Sequence, residues 1–231
     1  MVIENILKKH LQPAEDYLYG FADLTGLTGH RLSEFSFGIS IAKRLEKDVI
    51  DNISDGPTPE YYNHYREINE HLSGLSLKIL ADLRVAGVEA TAIEPTLSSE
   101  TIDKIYLKTL KTDLSHKMVA TRAGLGWIGK TGLLVSGKFG PRLRLVSILL
   151  KHRVKSLARP LTKSLCGTCN ICVDACPAHA ANGKLWNINV SREDFYDAWR
   201  CRAKCVEFGE ERIGNNARVC GICVAVCPFG R

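Results

Sequence analysis

The sequence predicts an α+β chain: a domain of mixed helices and strands over residues 1–157, followed by a small cysteine-rich module over residues 158–231. Three observations carry this expectation. All nine cysteines lie after Leu165, so thiol chemistry belongs to the C-terminal part. The stretch before them alternates helix-period and strand-period apolar patterns without an internal repeat. A chain of 231 residues that is 45% hydrophobic can bury a substantial core and still carry an appendage.

In order, Ile3, Ile6, Leu7, Leu11 and Leu18 fit an amphipathic helix over residues 2–19, although Pro13 falls within it. The segment Phe35–Ile41 alternates as a half-buried strand does, and Gly56, Pro57 and Pro59 mark a loop. Ile68, Leu72, Leu75, Ile79 and Leu83 recur every three or four residues, which predicts a helix over 61–86 that Gly87 ends. Val88–Ile93 reads as a strand stopped by Pro95. Residues 101–122 read as a helix with Ile102, Ile105, Leu110, Leu114 and Met118 on one side. Gly132–Val135 and Leu143–Leu149, separated by Ser-Gly-Lys-Phe-Gly-Pro, read as a hairpin with an enlarged loop.

The cysteines fall in two related runs, Cys166-x2-Cys169-x2-Cys172-x3-Cys176-Pro177 and Cys220-x2-Cys223-x3-Cys227-Pro228. The first has the bacterial ferredoxin spacing, in which three close thiolates hold one cubane cluster and the fourth ligates a second. Cys-x2-Cys pairs also build zinc ribbons. Zinc does not require a third cysteine at the same spacing, nor a Cys-Pro ending on both runs. By ferredoxin logic Cys166, Cys169 and Cys172 share a cluster with Cys227, and Cys176 joins Cys220 and Cys223.

Between the expected helix and hairpin lies Ala123-Gly124-Leu-Gly126-Trp127-Ile-Gly129-Lys130-Thr131. It satisfies both G-x-G-x-x-G and G-x4-G-K-[ST]. Those motifs need a strand before the glycines and a helix after them, and here the order is reversed. A tight structural turn and a glycine loop that approaches a flat cofactor, with Trp127 as a wall, both remain open. From Leu114 to Val173 there are eleven Lys and Arg and no Asp or Glu, so the net charge of +6 is local. Such a tract attracts anions, offsets cluster charge, or forms a solvated face.

His116-Lys117 through Lys130, then Gly140-Pro-Arg142-Leu-Arg144, then the two cysteine runs, together resemble the epoxyqueuosine reductase family and its relatives, the reductive dehalogenases. The resemblance implies a nitroreductase-like α/β domain that binds base-off cobalamin, and a ferredoxin-like domain with two [4Fe-4S] clusters. It implies cofactor contacts at Gly124, Gly126, Trp127, Gly129, Lys130, Arg142 and Arg144, with His116 and Lys117 next in line. It makes Cys205, rather than Cys201, the remaining ligand beside Cys176, Cys220 and Cys223. The family's catalytic acid has no counterpart in register; Asp113 is near but displaced, so the catalytic residue stays unknown. Against that resemblance, the helical-repeat extension of longer members is not expected here.

The expected function is therefore an iron–sulfur oxidoreductase, corrinoid-dependent and acting on an unidentified substrate. The alternative is an electron-transfer or activating protein without its own corrinoid. The expected partner is a ferredoxin- or flavodoxin-type electron donor, and tRNA is not expected as a substrate. The charged N-terminus and the lack of an eighteen-residue apolar run predict a cytoplasmic protein with no membrane association.

Overall fold

The computed structural model describes residues 2–97 and 102–230. The chain divides into two compact units, each assembled from three segments. The first comprises Met1–Arg44, Ile68–Leu125 and Arg144–Leu161, and the second Leu45–Glu67, Gly126–Leu143 and Thr162–Arg231. The expected boundary at 157/158 falls inside the third segment of the first unit. The second unit draws the cysteine-rich module together with Gly126–Leu143 and Leu45–Glu67.

The first unit is built on a four-stranded sheet. Helix α1 (Val2–His10) opens the chain and strand β1 (Tyr17–Asp23) follows. The single helix expected over 2–19 is thus a short helix and a strand. Pro13, which has no N–H to donate, stands between them. β2 is Phe37–Arg44 and pairs antiparallel with β1, Tyr17 facing Lys43 and Asp23 facing Phe37. After α2 (Lys47–Asp51), helix α3 runs from Pro59 to Val85. Pro59 is its first residue rather than part of a loop, since a missing N–H costs nothing in the first helical turn.

The end of α3 follows the expectation closely. Gly87, at φ 75°, gives its N–H to Arg84 O and Val88 gives its own to Leu83 O, a Schellman closure. β3 (Ala90–Ile93) comes next and lies at one edge of the sheet, whose order is β1-β2-β6-β3. The helix expected over 101–122 is broken in two, with Thr101 itself outside the described residues. α4 (Lys104–Thr109) is capped by Asp103, whose carboxylate accepts from Tyr106 N, and stops where Leu110 turns left-handed at φ 51°. α5 (His116–Arg122) restarts with Ser115 accepting from Met118 N. α5 lies against β1 and β2, where Ala22, Leu24, Phe35, Leu114, Val119, Ala123 and Leu149 form a buried cluster.

The expected hairpin also has different partners. β4 (Trp127–Ile128) lies within the glycine-rich stretch and pairs with β5 (Leu134–Val135), while β6 (Leu143–Leu150) joins the large sheet and pairs with β3. The glycine stretch is thus entered from a helix and left through a two-stranded ribbon. This is the reverse of a phosphate-binding strand–loop–helix. Among the described residues the α-helices of the cysteine-rich part are short: α6 (Ile171–Asp174), α7 (Ala198–Phe208) and α8 (Ile222–Ala225). No helix of the described residues is long and apolar enough to cross a membrane.

Candidate iron–sulfur site

Each cysteine run folds the same way locally: a Cys-Gly turn, a single helical turn, and a Cys-Pro exit. Cys169 N donates to Cys166 O at 3.2 Å, α6 carries Cys172, and Cys176 N closes onto Val173 O at 3.2 Å. In the second run Val224 N donates to Gly221 O at 2.8 Å, and α8 carries Cys223. With two residues between cysteines, such a turn can aim its sulfurs at one body. The proline then redirects the chain.

The electrostatics of the thiols record which sulfurs are neighbours. Burial pushes the Cys172 thiol up to about 11, with Cys227, Cys166 and Cys169 adding to it. Burial also raises Cys227, and Cys166 and Cys169 raise it further. In the other group, burial lifts Cys220 to about 11, with Cys201 and Cys176 contributing. Cys223 is raised by burial and by Cys220 and Cys201, with a smaller contribution from Cys172, while a hydrogen bond with Thr131 acts in the opposite direction. Cys205 is raised by its hydrogen bond with Cys201, by burial, and by Cys220 and Cys223. Most of these couplings fall within Cys166, Cys169, Cys172 and Cys227 or within Cys176, Cys201, Cys205, Cys220 and Cys223, with Cys172 acting on Cys223 across the two groups.

Cys201 and Cys205 sit one turn apart on α7 with their sulfurs 4.0 Å apart, so both reach the second group. Asp197 caps that helix by accepting from the N–H groups of Trp199 and Arg200. Donors also reach sulfur directly: Trp127 Nε1–H points at Cys166 Sγ from 3.3 Å, and Ala180 N–H at Cys176 Sγ from 3.5 Å. Among the described residues no three His, Cys, Asp or Glu side chains could hold a single metal ion.

The residues expected around a flat cofactor are placed as follows. Trp127 is buried, with Phe229 standing edge-on at 5.2 Å. Lys130 is 3% exposed and donates to Asn170 Oδ1 at 2.6 Å, within the first cysteine run. Arg142 is also buried, bridging Asp51 Oδ1 at 2.8 Å and Ala225 O at 2.9 Å. A β-carbon on Gly126 would lie 2.3 Å from Val135 O; one on Gly129 would lie 2.9 Å from Val135 Cγ2 and 3.7 Å from Cys166 Sγ. These residues form the packing of the second unit.

The remaining expected contacts belong to the first unit. There Gly124 faces Ala158, and Arg144 donates to Asn69 Oδ1 from Nε and Nη2. His116 holds Glu94 O and Ser147 Oγ, each at 2.8 Å. Glu94 O can only accept, so Nε2 carries the proton and Nδ1 accepts from the serine. Burial keeps the His116 pKa below its ordinary value. Lys117 is half-buried on α5.

Sequence reasoning missed Asn170 as the partner of Lys130 and Phe229 as the partner of Trp127; of the two only Phe229 carried a signal, as the residue after the second Cys-Pro.

The 4Fe-4S double cluster binding domain family matches residues 165–230. An epoxyqueuosine reductase from Synechococcus sp. (strain CC9605) is 37% identical over 128 residues, covering 51% of this chain and 36% of that protein. A tetrachloroethene reductive dehalogenase from Desulfitobacterium hafniense is 31% identical over 119 residues, covering 49% of this chain and 22% of its own. The chain thus matches about a third or less of each of these relatives. Among solved structures, a catabolic reductive dehalogenase shares the fold at a TM-score of 0.66 and 15% identity, over 93% of this chain and 30% of its own. Epoxyqueuosine reductase with a modified tRNA stem loop superposes at a TM-score of 0.59 and 17% identity, over 98% of this chain and 64% of its own. The chain is therefore related to the epoxyqueuosine reductases and the reductive dehalogenases, shares their mixed α/β fold, and carries a double [4Fe-4S] cluster-binding domain.

Proposed function

We propose that this chain is an iron–sulfur reductase module that takes up single electrons through two [4Fe-4S] clusters and delivers them to an acceptor. The observation that carries the reading is the match of residues 165–230 to a double 4Fe-4S cluster binding domain, with both cysteine runs folded as a turn and a single helical turn and the α7 pair 4.0 Å apart; ferredoxin spacing then assigns Cys166, Cys169, Cys172 and Cys227 to one set and Cys176, Cys220, Cys223 and one of the α7 pair to the other. Each set has thiols enough for a cubane. Bound clusters supply one-electron chemistry at a potential set by hydrogen bonds to sulfur and by solvent exposure. The chain's own part is to hold and tune them. Trp127 directs a donor at Cys166 Sγ, Lys130 fixes the first loop through Asn170, and Arg142 ties α8 to Asp51.

A corrinoid acceptor in the same chain is a second reading. It is favoured by the fold shared over 93% of the chain with a dehalogenase whose described mechanism is B12-dependent. Of the residues expected to hold a corrinoid, Trp127, Lys130, Arg144 and His116 direct hydrogen bonds at other parts of the protein, while Arg142, bonded to Asp51 and Ala225, keeps a buried Nε–H without a partner among the described residues. No step is assigned to it. The expectation against tRNA is withdrawn, since a relative of the same fold is solved with a tRNA stem loop. Anaerobic reconstitution with iron and sulfide, followed by addition of cobalamin, gel filtration and EPR, separates the readings. Two clusters without retained corrinoid favour the module; retained corrinoid with a base-off Co(II) signal favours the second reading; absence of clusters contradicts both.

A further inference from the structure

The two cysteine runs differ in how far their surroundings cover them. On α8, Ile222, Val224 and Ala225 are buried, and a β-carbon on Gly221 would lie 2.4 Å from Ile53 Cδ1 and 3.1 Å from the Tyr61 ring. On α6 no residue is buried, Ile171 is 49% exposed, and a β-carbon on Gly167 would meet nothing within 4 Å. The same local motif is thus wrapped in one copy and bare in the other.

Beside the bare copy lies a short antiparallel ladder. Lys163 pairs with Asn187, Ser164 N donates to Trp186 O at 2.8 Å, and Ile188 N to Thr162 O at 3.0 Å. This register sets Leu165, the residue before Cys166, across from Leu185 and on the same side as Lys163. Leu165 is 49% and Leu185 44% exposed. The ladder adjoins the first loop at Gly183, where a β-carbon would lie 3.4 Å from Asn170 Oδ1, next to Ile171. Lys163 and Lys184 are exposed at its rim, and no carboxylate occurs in the sequence from Leu114 to Val173; Asp174 is the next.

We propose that Leu165, Ile171 and Leu185, rimmed by Lys163 and Lys184, form the docking surface for a small acidic one-electron carrier protein, and that electrons enter through the Cys166–Cys172 loop. The assignment rests on the two-cluster reading above. Electron tunnelling falls steeply with distance, so a carrier has to approach the less covered cysteine run. A small apolar centre with a basic rim suits a weak, transient redox encounter, in which charge sets the approach and a limited area keeps release fast. In the transfer the reduced carrier loses one electron, the cluster held by the first loop gains it, and no bond is made or broken.

The test uses the full chain, reconstituted anaerobically, and an acidic two-cluster ferredoxin as probe. Binding of the oxidised ferredoxin is measured by calorimetry at low and high salt. Bleaching of the clusters is followed in stopped flow with reduced ferredoxin and, separately, with dithionite. Lys163→Glu and Leu185→Glu are expected to weaken binding about tenfold and to slow reduction by ferredoxin, with iron content and dithionite reduction unchanged. Val85→Glu, at a 90% exposed position in the first unit, is expected to change neither. Binding that weakens with salt further supports the basic rim. Wild-type chain that holds its clusters, is reduced by dithionite and is indifferent to ferredoxin overturns the docking proposal alone, as do variants indistinguishable from wild type. Self-association broken by the same substitutions reassigns the surface to a second copy and overturns it too. A chain that takes up no iron overturns the two-cluster reading and this proposal with it.

Discussion

Replacing Gly140 with alanine tests how the tail of the chain positions its last cysteine. Gly140 has φ 56°, a left-handed conformation that costs a residue with a β-carbon about 1–2 kcal/mol. An added methyl would sit 1.8 Å from Phe229 O and 2.6 Å from the Phe229 carbonyl carbon. Both are backbone atoms, so no side-chain rotation relieves the overlap and the Phe229–Gly230 segment must move. That movement pulls the Phe229 ring from its edge-on contact with Trp127, a contact worth about 1 kcal/mol, and reaches Cys227 two residues upstream. Together these give a destabilisation of about 2–4 kcal/mol. The loss of iron should be concentrated in the Cys166–Cys172–Cys227 group. Gly137→Ala is the control from the same loop: its β-carbon would meet nothing within 4 Å and its φ is not positive, so the change should stay within about 0.5 kcal/mol. Anaerobic denaturation followed by tryptophan fluorescence, with iron per chain measured alongside, reads both effects. Equal midpoints and equal iron for the two variants would refute the reasoning.

Three further outcomes are expected. Cys205→Ser should lose about half of the iron and Cys201→Ser little; the reverse result in anaerobic iron and sulfide analysis moves the ligand one turn along α7. Trp127→Phe keeps the ring against Phe229 but removes the N–H from Cys166 Sγ, so the first cluster's reduction potential should become more negative in a redox titration while the second stays put. Burial holds the His116 pKa below its ordinary 6.5, with Arg144 adding to the effect and the Glu94 hydrogen bond opposing it. Its contribution to stability is therefore complete above pH 6.5 and lost as pH falls from there through the folded-state pKa. In chemical denaturation from pH 8 down to pH 6 the wild type should begin to weaken at the acid end, with a slope of up to about 1.4 kcal/mol per pH unit, and His116→Gln should flatten it.

The parts of this fold legible in the sequence are those where one strong local pattern had no competitor. α3 is such a case, with apolar residues at helical spacing through Leu83 and a glycine that closes it. The cysteine runs are another, because their spacing follows from the geometry of a cubane. β1 was hidden because Leu18 extended the apolar spacing of α1 past Pro13. The break between α4 and α5 was hidden because Ile105, Leu110 and Leu114 kept helical spacing while Asp103 and Ser115, whose side chains accept from Tyr106 N and Met118 N, start two separate helices. β4 escaped because two residues between glycines carry no strand signal. Once β4 pairs with β5, β6 is free to pair with β3. In the site, Trp127 and Lys130 stand out in the sequence within a glycine-rich stretch, where they read as contacts to a flat cofactor. That they face Cys166 and Asn170, 39 and 40 residues on in the sequence, depends on packing that no local pattern records.

The most direct test of the two-cluster reading is the iron and acid-labile sulfide content of the anaerobically reconstituted chain, taken with Mössbauer or EPR spectra of its reduced form. About eight iron and eight sulfide per chain, with signals of two [4Fe-4S] clusters, is the predicted result. About four iron, or zinc retained in place of iron, would contradict it.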